Sequence, residues 1–374
     1  MSKTLDSLSP FRLFFSNIGY SSTCRPGDRR AMPSVIDWNP TVDPSGLVQR
    51  TRDALASGGA VVLPGDGGYV VLWRPGTAPE RPAPALLVFG PEEAAAAGVT
   101  IPKTARRLMA RAWPAPLTVE VPAGNQVPGA ANGFVRFRFP EHPLFDLVVP
   151  ALADLGPVLI ADTGAESAAD AVTRAGTEVA LSINAGLRGG PKPTVVRCSD
   201  AGYAVVEPGA FPKEEIDRLA ARIVLFVCTG NTCRSPLAEG LAKKLLADRL
   251  RCATDELPAR GFWVLSAGVA AYGGGPASEE SLAVAAEFGA DLGRHASRPL
   301  NPQLLAAADD VIAMTHGHLH ALATRYPGAG PGARLLCGDE DLDDPIGASL
   351  DVYRECARVV VRHLERILPE WVAS

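Results

Sequence analysis

The hydrophobic positions of the chain form short runs whose character changes near residue 222. Before that point, β-type apolar runs alternate with more polar stretches of helical character. The apolar runs are AVVLP near residue 60, ALLVF near 85, LTVEV near 117, FVRFRF near 134, PVLIA near 157 and TVVRC near 194. Because strands that alternate with helices are typical of α/β folds, we predict an α/β domain over residues 34–212.

A different pattern begins at Arg222. Residues 222–228 (RIVLFVC) are apolar without alternation, as in a strand buried on both faces, and SPLAEGLAKKLLADRL, with Pro236 in its first turn, has helical periodicity. Further strands are predicted at FWVLSAG and DDVIAMT, and helices after GGPAS and from Ser349 to Leu368. This alternation predicts a doubly wound parallel sheet, which we expect to be four-stranded.

The remaining segments flank or join these domains. Residues 1–33 have no sustained period and contain Pro and Gly, so we expect a poorly ordered tail. Residues 213–221 lie in PGAFPKEEIDRLAAR and are predicted to be a linker. The second domain then covers residues 222–374.

Composition narrows the class of protein. The 374 residues suggest two domains, and 47% hydrophobic with 21% charged residues is typical of a globular chain. No apolar run approaches the roughly 18 residues of a membrane span, and the N-terminus lacks a signal-peptide pattern, so we expect a cytoplasmic protein without membrane contact. Seven cysteines fit free thiols, and a net charge of -5 makes nucleic acid an unexpected partner.

Candidate chemistry lies after the strand at 222–228. Cys228 and Arg234 bracket a tight loop that leads into a helix. Such a loop can turn its N–H groups inward as an anion nest, and the helix N-terminus adds positive potential. Arg234 can bind a phosphoryl group with two hydrogen bonds, and a Cys228 thiolate can attack phosphorus. We expect Gly230 to supply a backbone conformation closed to other residues.

A phosphoryl-transfer site also needs a proton donor for the leaving group. A carboxylic acid on a loop meets this need, and Asp344 in DLDDPIG is the candidate. The neighbouring Asp341 and Asp343 are interpreted as part of a solvated acidic loop.

Residues 222–368 resemble the low-molecular-weight protein tyrosine phosphatase family. The resemblance rests on VCTGNTCRSP, the SAG at 266–268, GGPAS, MTHGH and DPIGASLDVYR. It implies a metal-free, cofactor-free protein phosphatase that forms a phosphocysteine on a phosphorylated protein substrate. The implied roles are nucleophile for Cys228, phosphate ligand for Arg234, thiolate stabiliser for Ser235 and general acid for Asp344. The implied phosphate-binding loop also contains Thr229, Gly230, Asn231, Thr232 and Cys233, with Asn231 supported by Ser266.

Two positions bear on the substrate. Thr232 stands where phosphotyrosine-directed members usually carry a bulky aliphatic residue, and it resembles the protein-arginine-phosphatase branch. Ile346 follows the Asp-Pro pair where an aromatic residue would sandwich a phenol ring. We therefore favour phosphoarginine over phosphotyrosine, with neutral variation at Thr232 as the alternative.

Other residues carry open alternatives. Cys233 could form a protective disulfide with Cys228, as in similar phosphatases, or could be a small buried thiol. His316 and His320 in HGHLH are one helical turn apart, but no short-range carboxylate or thiol completes a metal site, and none is predicted.

Residues 34–212 resemble the YrdC-like fold of threonylcarbamoyl-AMP synthases. The resemblance rests on GGAVVLPGDGGYVV, RAWPAPLTVEVP, VRFRFPEHPLF, GPVLIADTG and PTVVR. Several expected groups differ. The Thr-Asp-Thr of the synthases is Gly65-Asp66-Gly67 here, and their Ser-Ala-Asn is Ala161-Asp162-Thr163. Their Ser before Thr194 is Pro193, and their Lys before Arg81 is Glu80. The matching positions that remain are Asp66, Tyr69, Arg81 and Arg138.

We therefore favour a degenerate binding or scaffolding domain. One alternative is retained threonylcarbamoyl-AMP synthesis for tRNA modification. Another is a non-catalytic module that binds a nucleotide or RNA and targets the phosphatase. Lys103, Arg107 and Arg111 share a helical face, which we interpret as a solvated stripe rather than an RNA-binding patch.

Overall fold

The computed structural model describes residues 33–41, 43–77, 84–328 and 332–372. Within these ranges the chain folds around two separate β-sheets, one in each half of the molecule. We call residues 33–221 the N-terminal half and residues 222–372 the C-terminal half. The tail predicted over residues 1–33 lies outside the described residues except for Pro33. No described helix is long and apolar enough to cross a membrane.

The N-terminal half contains a mixed sheet in which ten described strands follow the order β1-β8-β2-β3-β7-β4-β6-β5-β9-β10. The strands are β1 (Ser34–Asp37), β2 (Ala60–Pro64), β3 (Tyr69–Trp73), β4 (Ala85–Leu87), β5 (Leu117–Pro122), β6 (Phe134–Arg138), β7 (Leu159–Ala165), β8 (Val179–Asn184), β9 (Thr194–Ser199) and β10 (Gly202–Glu207). The helices are α1 (Ser45–Ala56), α2 (Pro91–Ala96), α3 (Lys103–Ala112), α4 (Pro143–Ala151), α5 (Ala168–Arg174) and α6 (Lys213–Ala220). Apolar cores cover both faces of the sheet.

The predicted α/β character of this half is confirmed, but the hydrophobic pattern did not single out four of the strands, β1, β3, β8 and β10. Strands β1 and β10 are the two sheet edges, and most of their residues are at least partly exposed, so they carry little apolar signal. Strand β3 pairs with β2 through a short turn, and the two form one nearly continuous apolar stretch in the sequence.

The C-terminal half contains a four-stranded sheet in the order β12-β11-β13-β14, and every pairing is parallel. The strands are β11 (Arg222–Cys228), β12 (Phe262–Gly268), β13 (Asp310–Ala313) and β14 (Arg334–Leu335). The helices are α7 (Arg234–Leu250), α8 (Glu279–Glu287), α9 (Pro302–Ala307), α10 (His316–Arg325) and α11 (Leu350–Val372). The predicted parallel α/β fold is therefore confirmed.

Strand β11 is buried on both faces, which explains its unbroken apolar sequence. Its alternate side chains Val224, Phe226 and Cys228 join the core formed with α7, α8 and α11. The side chains that point to the other face, Ile223, Leu225 and Val227, join the core with α9 and α10. Cys228 therefore lies at the carboxyl end of a central strand, where doubly wound sheets bind their ligands.

The segment predicted as a linker is largely helix α6. Its Ile216 and Ala220 are four residues apart, and both side chains are buried in the N-terminal core. This apolar face packs α6 beside α3, so most of residues 213–221 is ordered structure attached to the N-terminal half.

Two arginines of α3 bind the C-terminal half. The side chains of Arg107 and Arg111 donate to opposite carboxylate oxygens of Asp309, over 2.8 and 2.6 Å. Asp309 also accepts a 2.8 Å bond from the backbone N–H of Ile223, near the start of β11. Arg111 donates further to the carbonyl oxygens of Leu219 and Ala221. The predicted solvated stripe is therefore wrong for these two arginines, because they join the two halves.

The charges of this junction determine its response to pH. Burial acts to raise the pKa of Asp309, but the bonds and charges of Arg107 and Arg111 outweigh burial and hold that pKa below its usual value. A carboxyl group with a depressed pKa stabilises the fold above its unfolded-state pKa and loses that contribution as the pH falls.

We predict that Asp309→Ala lowers the free energy of unfolding by about 2–3 kcal/mol at neutral pH, because it leaves two partly buried guanidinium groups without their carboxylate. The difference from the wild type should shrink below a pH of about 4, where Asp309 is protonated in the unfolded chain. Urea denaturation across this pH range measures both effects. Asp154→Ala, which breaks an exposed pair with Arg52, is the control and should cost much less than Asp309→Ala.

Candidate active site

The Cys228 loop, residues 228–235, connects the end of β11 to the start of α7. Gly230 was expected to supply a backbone conformation closed to other residues, but the positive φ of this loop, 56°, belongs to Asn231. Among residues with side chains, Asn tolerates this region best, because its short amide can form local hydrogen bonds. The backbone N–H of Asn231 donates to Cys228 Sγ over 3.3 Å, so the turn directs an amide at the thiol.

Hydrogen bonds to two other segments hold Asn231 in this conformation. Its Nδ2 donates to Ser266 Oγ at the end of β12 over 2.8 Å, and its Oδ1 accepts from the Arg298 N–H over 2.8 Å. Its carbonyl oxygen lies 2.9 Å from His295 Nε2. Ser266 in turn donates to Glu239 on α7. The loop is thus held on its β12 side.

The Cys228 thiol is buried and faces a hydroxyl group. Only 3% of Cys228 is exposed, and its Sγ lies 2.9 Å from Ser235 Oγ. Ser235 Oγ already accepts a 3.0 Å bond from Asn231 Nδ2, which leaves its own hydrogen available for the sulfur. This arrangement suits a thiolate, which only accepts hydrogen bonds.

A glycine of β12 allows the Cys228 loop to lie close to the neighbouring strand. A Cβ atom at Gly268 would be 2.4 Å from the Thr229 carbonyl oxygen and 2.9 Å from the Asn231 nitrogen. Side-chain carbon atoms do not approach backbone atoms so closely, so an alanine there would push the loop away. The SAG segment therefore supplies both Ser266 and the space for the loop.

Arg234 begins α7 and is paired with the predicted acid. Its guanidinium donates to Asp344 Oδ2 over 2.5 Å and to the Leu342 carbonyl oxygen over 3.3 Å. The arginine side chain is 7% exposed, whereas that of Asp344 is 42% exposed. The structure therefore brings Asp344 to the loop that contains Cys228 and Arg234, although Asp344 is 110 residues from Arg234 in the sequence.

The two other acidic residues of this segment differ from Asp344. Asp341 accepts bonds from the backbone N–H and the Nδ1 of His316, each 2.7 Å long, and these bonds lower its pKa. Asp343 is exposed. Asp341 thus attaches the acidic segment to α10, while Asp344 points to the Cys228 loop.

Thr232 and Cys233 contact the residues on the far side of the loop. The Thr232 carbonyl oxygen accepts from the Ser278 N–H over 2.9 Å. Cys233 Sγ lies 3.4 Å from the Tyr353 hydroxyl of α11. Burial, followed by the Cys233 contact, raises the pKa of Tyr353 to about 12. Both thiols are free here, and the disulfide between Cys228 and Cys233 stays one of two open alternatives.

The histidines of HGHLH have separate environments. His316 binds the acidic segment, His318 is buried against the hydroxyl groups of Thr229 and Thr315, and His320 is exposed. Within the described ranges, no three His, Cys, Asp or Glu residues lie close enough to hold a metal ion.

Residues missed by the sequence analysis support this site from a distance. Glu239, His295, Arg298 and His318 all hold the Cys228 loop or its partners. Glu239 had one usable signal, since it is a carboxylate on a helix whose neighbouring residues are mostly small and apolar. His295 and Arg298 lie in a segment of no regular period, and His318 lies in α10, so only the folded chain identifies their partners.

The N-terminal half contains a cavity of about 620 Å³ whose lining includes Tyr69, Arg138, Asp162 and Pro193. Arg138 is buried between Asp66 and Asp162, at 2.8 and 2.7 Å, and its Nε has no hydrogen-bond partner among the described residues. The Tyr69 hydroxyl donates to the Gly186 carbonyl oxygen over 2.7 Å. Asp66 is thus linked to the cavity by its bond to Arg138, which lines the cavity. Arg81 lies outside the described residues.

Comparison with known proteins locates the C-terminal half in one family. Residues 223–373 match the family described as "Low molecular weight phosphotyrosine protein phosphatase". The "Protein-arginine-phosphatase" of Bacillus subtilis is 36% identical over 137 residues, which are 35% of this chain and 85% of that protein. The "Low molecular weight protein-tyrosine-phosphatase PtpB" of Staphylococcus haemolyticus is 34% identical, over 35% of this chain and 87% of that protein.

Among solved structures, "YwlE arginine phosphatase from Geobacillus stearothermophilus" aligns with 32% identity and a TM-score of 0.35, over 40% of this chain and 92% of that chain. The relatives are matched along most of their own length, and the matched region contains the whole Cys228 loop and Asp344. The chain belongs to the low molecular weight phosphotyrosine protein phosphatase family.

Proposed function

We propose that Cys228 is the nucleophile of a protein phosphatase reaction, that Arg234 binds the phosphoryl group and that Asp344 is the general acid. The observation that carries this proposal is the convergence of the three side chains at one end of β11, with Cys228 Sγ facing Ser235 Oγ at 2.9 Å. The inward Asn231 N–H and the N-terminus of α7 add positive potential at the same point. Family membership supports a cysteine-dependent reaction on phosphorylated protein.

The reaction proceeds in two steps. The Cys228 thiolate attacks phosphorus, the bond to the leaving oxygen or nitrogen breaks, and Asp344 gives its proton to the leaving atom. In the second step the Asp344 carboxylate takes a proton from water, whose oxygen attacks the phosphocysteine. Inorganic phosphate leaves, and the thiolate is restored.

The pairing of Arg234 with Asp344 defines the resting state. One side of the guanidinium is occupied by the acid at 2.5 Å, so a phosphoryl dianion must take the place of Asp344 on Arg234. The displaced carboxyl group is half-exposed and lies at the rim of the loop. Substrate binding thus frees the acid at the position where the leaving group departs.

We predict that Cys228→Ser abolishes phosphate release and that Asp344→Asn lowers kcat by about 10²- to 10³-fold, because the leaving group loses its proton donor. Phosphate release from a phosphopeptide measures both. Asp343→Asn, an exposed neighbour in the same segment, is the matched control and should retain wild-type turnover. Full activity of Asp344→Asn would contradict the assigned role.

We further propose phosphoarginine as the preferred substrate. Thr232 is smaller and more polar than an aliphatic residue, so it leaves room beside the loop for a guanidinium group. Ile346, two residues after Asp344, is 67% exposed and offers no aromatic face to a phenol ring. Two relatives named protein-arginine-phosphatases, at 36% and 38% identity, support this choice, although others are named tyrosine phosphatases.

We predict that Thr232→Ile shifts the ratio of kcat/KM for phosphoarginine and phosphotyrosine peptides by about 10-fold toward phosphotyrosine, because added methyl groups exclude one substrate more than the other. The two peptides should share one sequence. Thr254→Ile, on an exposed turn, is the matched control. Equal turnover of both peptides by the wild type and by Thr232→Ile would contradict the preference.

For the N-terminal half we propose a YrdC-like domain over residues 34–212 that no longer synthesises threonylcarbamoyl-AMP. Arg138, a cation that could meet a phosphate or carboxylate in the cavity, is already neutralised by Asp66 and Asp162. Arg107 and Arg111 are occupied by Asp309, which supports a scaffolding role and leaves less positive surface for RNA. Residues 222–374 are the corresponding phosphatase domain, and residues 213–221, most of which form α6, connect the two. The reduced thiols of the Cys228 loop suit the cytoplasm.

We predict no pyrophosphate release when the full chain is given ATP, threonine and bicarbonate, because the anion-binding groups are absent or paired. An active threonylcarbamoyl-AMP synthase in the same assay is the positive control. Pyrophosphate release that depends on threonine would instead support the bifunctional alternative. A partner that binds Cys228→Ser and is lost without residues 34–212 would support the targeting alternative.

A further inference from the structure

His318 is the buried histidine of the HGHLH segment. It is the third residue of α10 and is 5% exposed, whereas His316 and His320 are exposed. Helix α10 follows β13, which pairs directly with β11. His318 therefore reaches the Cys228 loop from the neighbouring strand, on the side opposite to Ser266.

Both ring nitrogens of His318 contact hydroxyl groups. Nδ1 lies 2.8 Å from Thr315 Oγ1, and Nε2 lies 2.9 Å from Thr229 Oγ1. Thr315 Oγ1 also accepts the His318 backbone N–H as the cap of α10, which leaves its own hydrogen for Nδ1. The ring then carries its proton on Nε2 and donates it to Thr229.

The charges around His318 favour this neutral ring. Burial lowers its pKa, and the nearby Arg234 lowers it further, while Asp344 and Asp341 act in the opposite direction. A neutral imidazole avoids repulsion with Arg234 and keeps one nitrogen as a donor and the other as an acceptor. The orientation of the Thr229 hydroxyl is thereby defined.

Thr229 is the exposed first residue of the loop after Cys228. Its backbone is held on the β12 side, where its carbonyl oxygen accepts from the Ala270 N–H over 3.0 Å and lies against Gly268. In the described part of the chain, His318 is the hydrogen-bond partner of its side chain. The peptide that follows the nucleophile is thus held from two opposite directions.

We propose that His318 is a positioning residue of the phosphatase site, which holds Thr229 so that the first peptide groups after Cys228 keep the orientation that binds a phosphoryl anion. This inference rests on the proposed function of Cys228 and extends it to a residue outside the Cys228 loop. His318 acts through Thr229 and does not itself touch the substrate.

A double-mutant cycle with His318→Leu and Thr229→Val tests the coupling between the two side chains. Each single variant should lower kcat/KM for p-nitrophenyl phosphate by about 10-fold, because one hydrogen bond that orients the loop is lost. The double variant should be no worse than either single one, since both remove the same interaction. Inhibition by inorganic phosphate should weaken by a similar factor, which a loss of stability alone would not cause.

Conservative and control variants make the result specific. His318→Gln, whose amide can also donate to Thr229, should recover activity to within about 3-fold of the wild type. His320→Gln, an exposed neighbour, should match the wild type. Melting temperatures of all variants should lie well above the assay temperature, so that folded enzyme is compared.

Two results would overturn the inference while leaving the proposed function intact. One is a double variant whose fold loss in kcat/KM equals the product of the two single losses. The other is unchanged inhibition by phosphate in His318→Leu. Failure of the proposed function is distinguishable, because Cys228→Ser would then retain turnover of p-nitrophenyl phosphate.

Discussion

The conformation of Asn231 is the constraint on which the rest of the C-terminal half depends. A left-handed backbone at a residue with a side chain costs about 1 kcal/mol, so it persists only where the surroundings hold it. Here the side chain binds Ser235 and Ser266 and accepts from the Arg298 N–H, and the backbone carbonyl contacts His295. In return, the turn directs the Asn231 N–H at Cys228. The site is therefore preorganised by groups from distant segments before any phosphoryl group arrives.

Each side of the Cys228 loop has a different task in this arrangement. The β12 side provides Ser266 and the bare Gly268, which let the loop pack tightly against the sheet. The β13 side provides His318, which holds the exposed Thr229. Between them, Arg234 keeps Asp344 beside the loop by an ion pair. Cys228 and Arg234 are thus buried and hydrogen-bonded, whereas the partial exposure of Asp344 suits an acid that must change partners.

The junction between the halves lies at the opposite end of β11 from Cys228. Asp309 accepts hydrogen bonds from two arginines of α3 and from the backbone of Ile223. The N-terminal half therefore supports the beginning of the strand that carries Cys228, the proposed nucleophile, at its end. In the N-terminal cavity, by contrast, the buried Arg138 is engaged by carboxylates of its own half. Charged residues of the N-terminal half thus form ion pairs within the protein both at the junction and beside the cavity.

What the sequence determined by itself was the local chemistry and the elements around it. The unbroken apolar run of β11, the Cys228–Arg234 spacing and the helix that follows are contiguous in the chain, and the parallel α/β fold of the C-terminal half follows from their repetition. Edge strands such as β1 and β10 gave no such signal, because exposed residues carry no hydrophobic pattern.

Only the tertiary structure decided which distant residues meet. The left-handed position at Asn231 rather than Gly230 depends on partners between 35 and 67 residues away. His318 and Arg111 likewise find their partners across sheets and between halves. A hydrogen bond between remote segments has no periodicity in the sequence, since it exists only after the hydrophobic cores have brought the segments together.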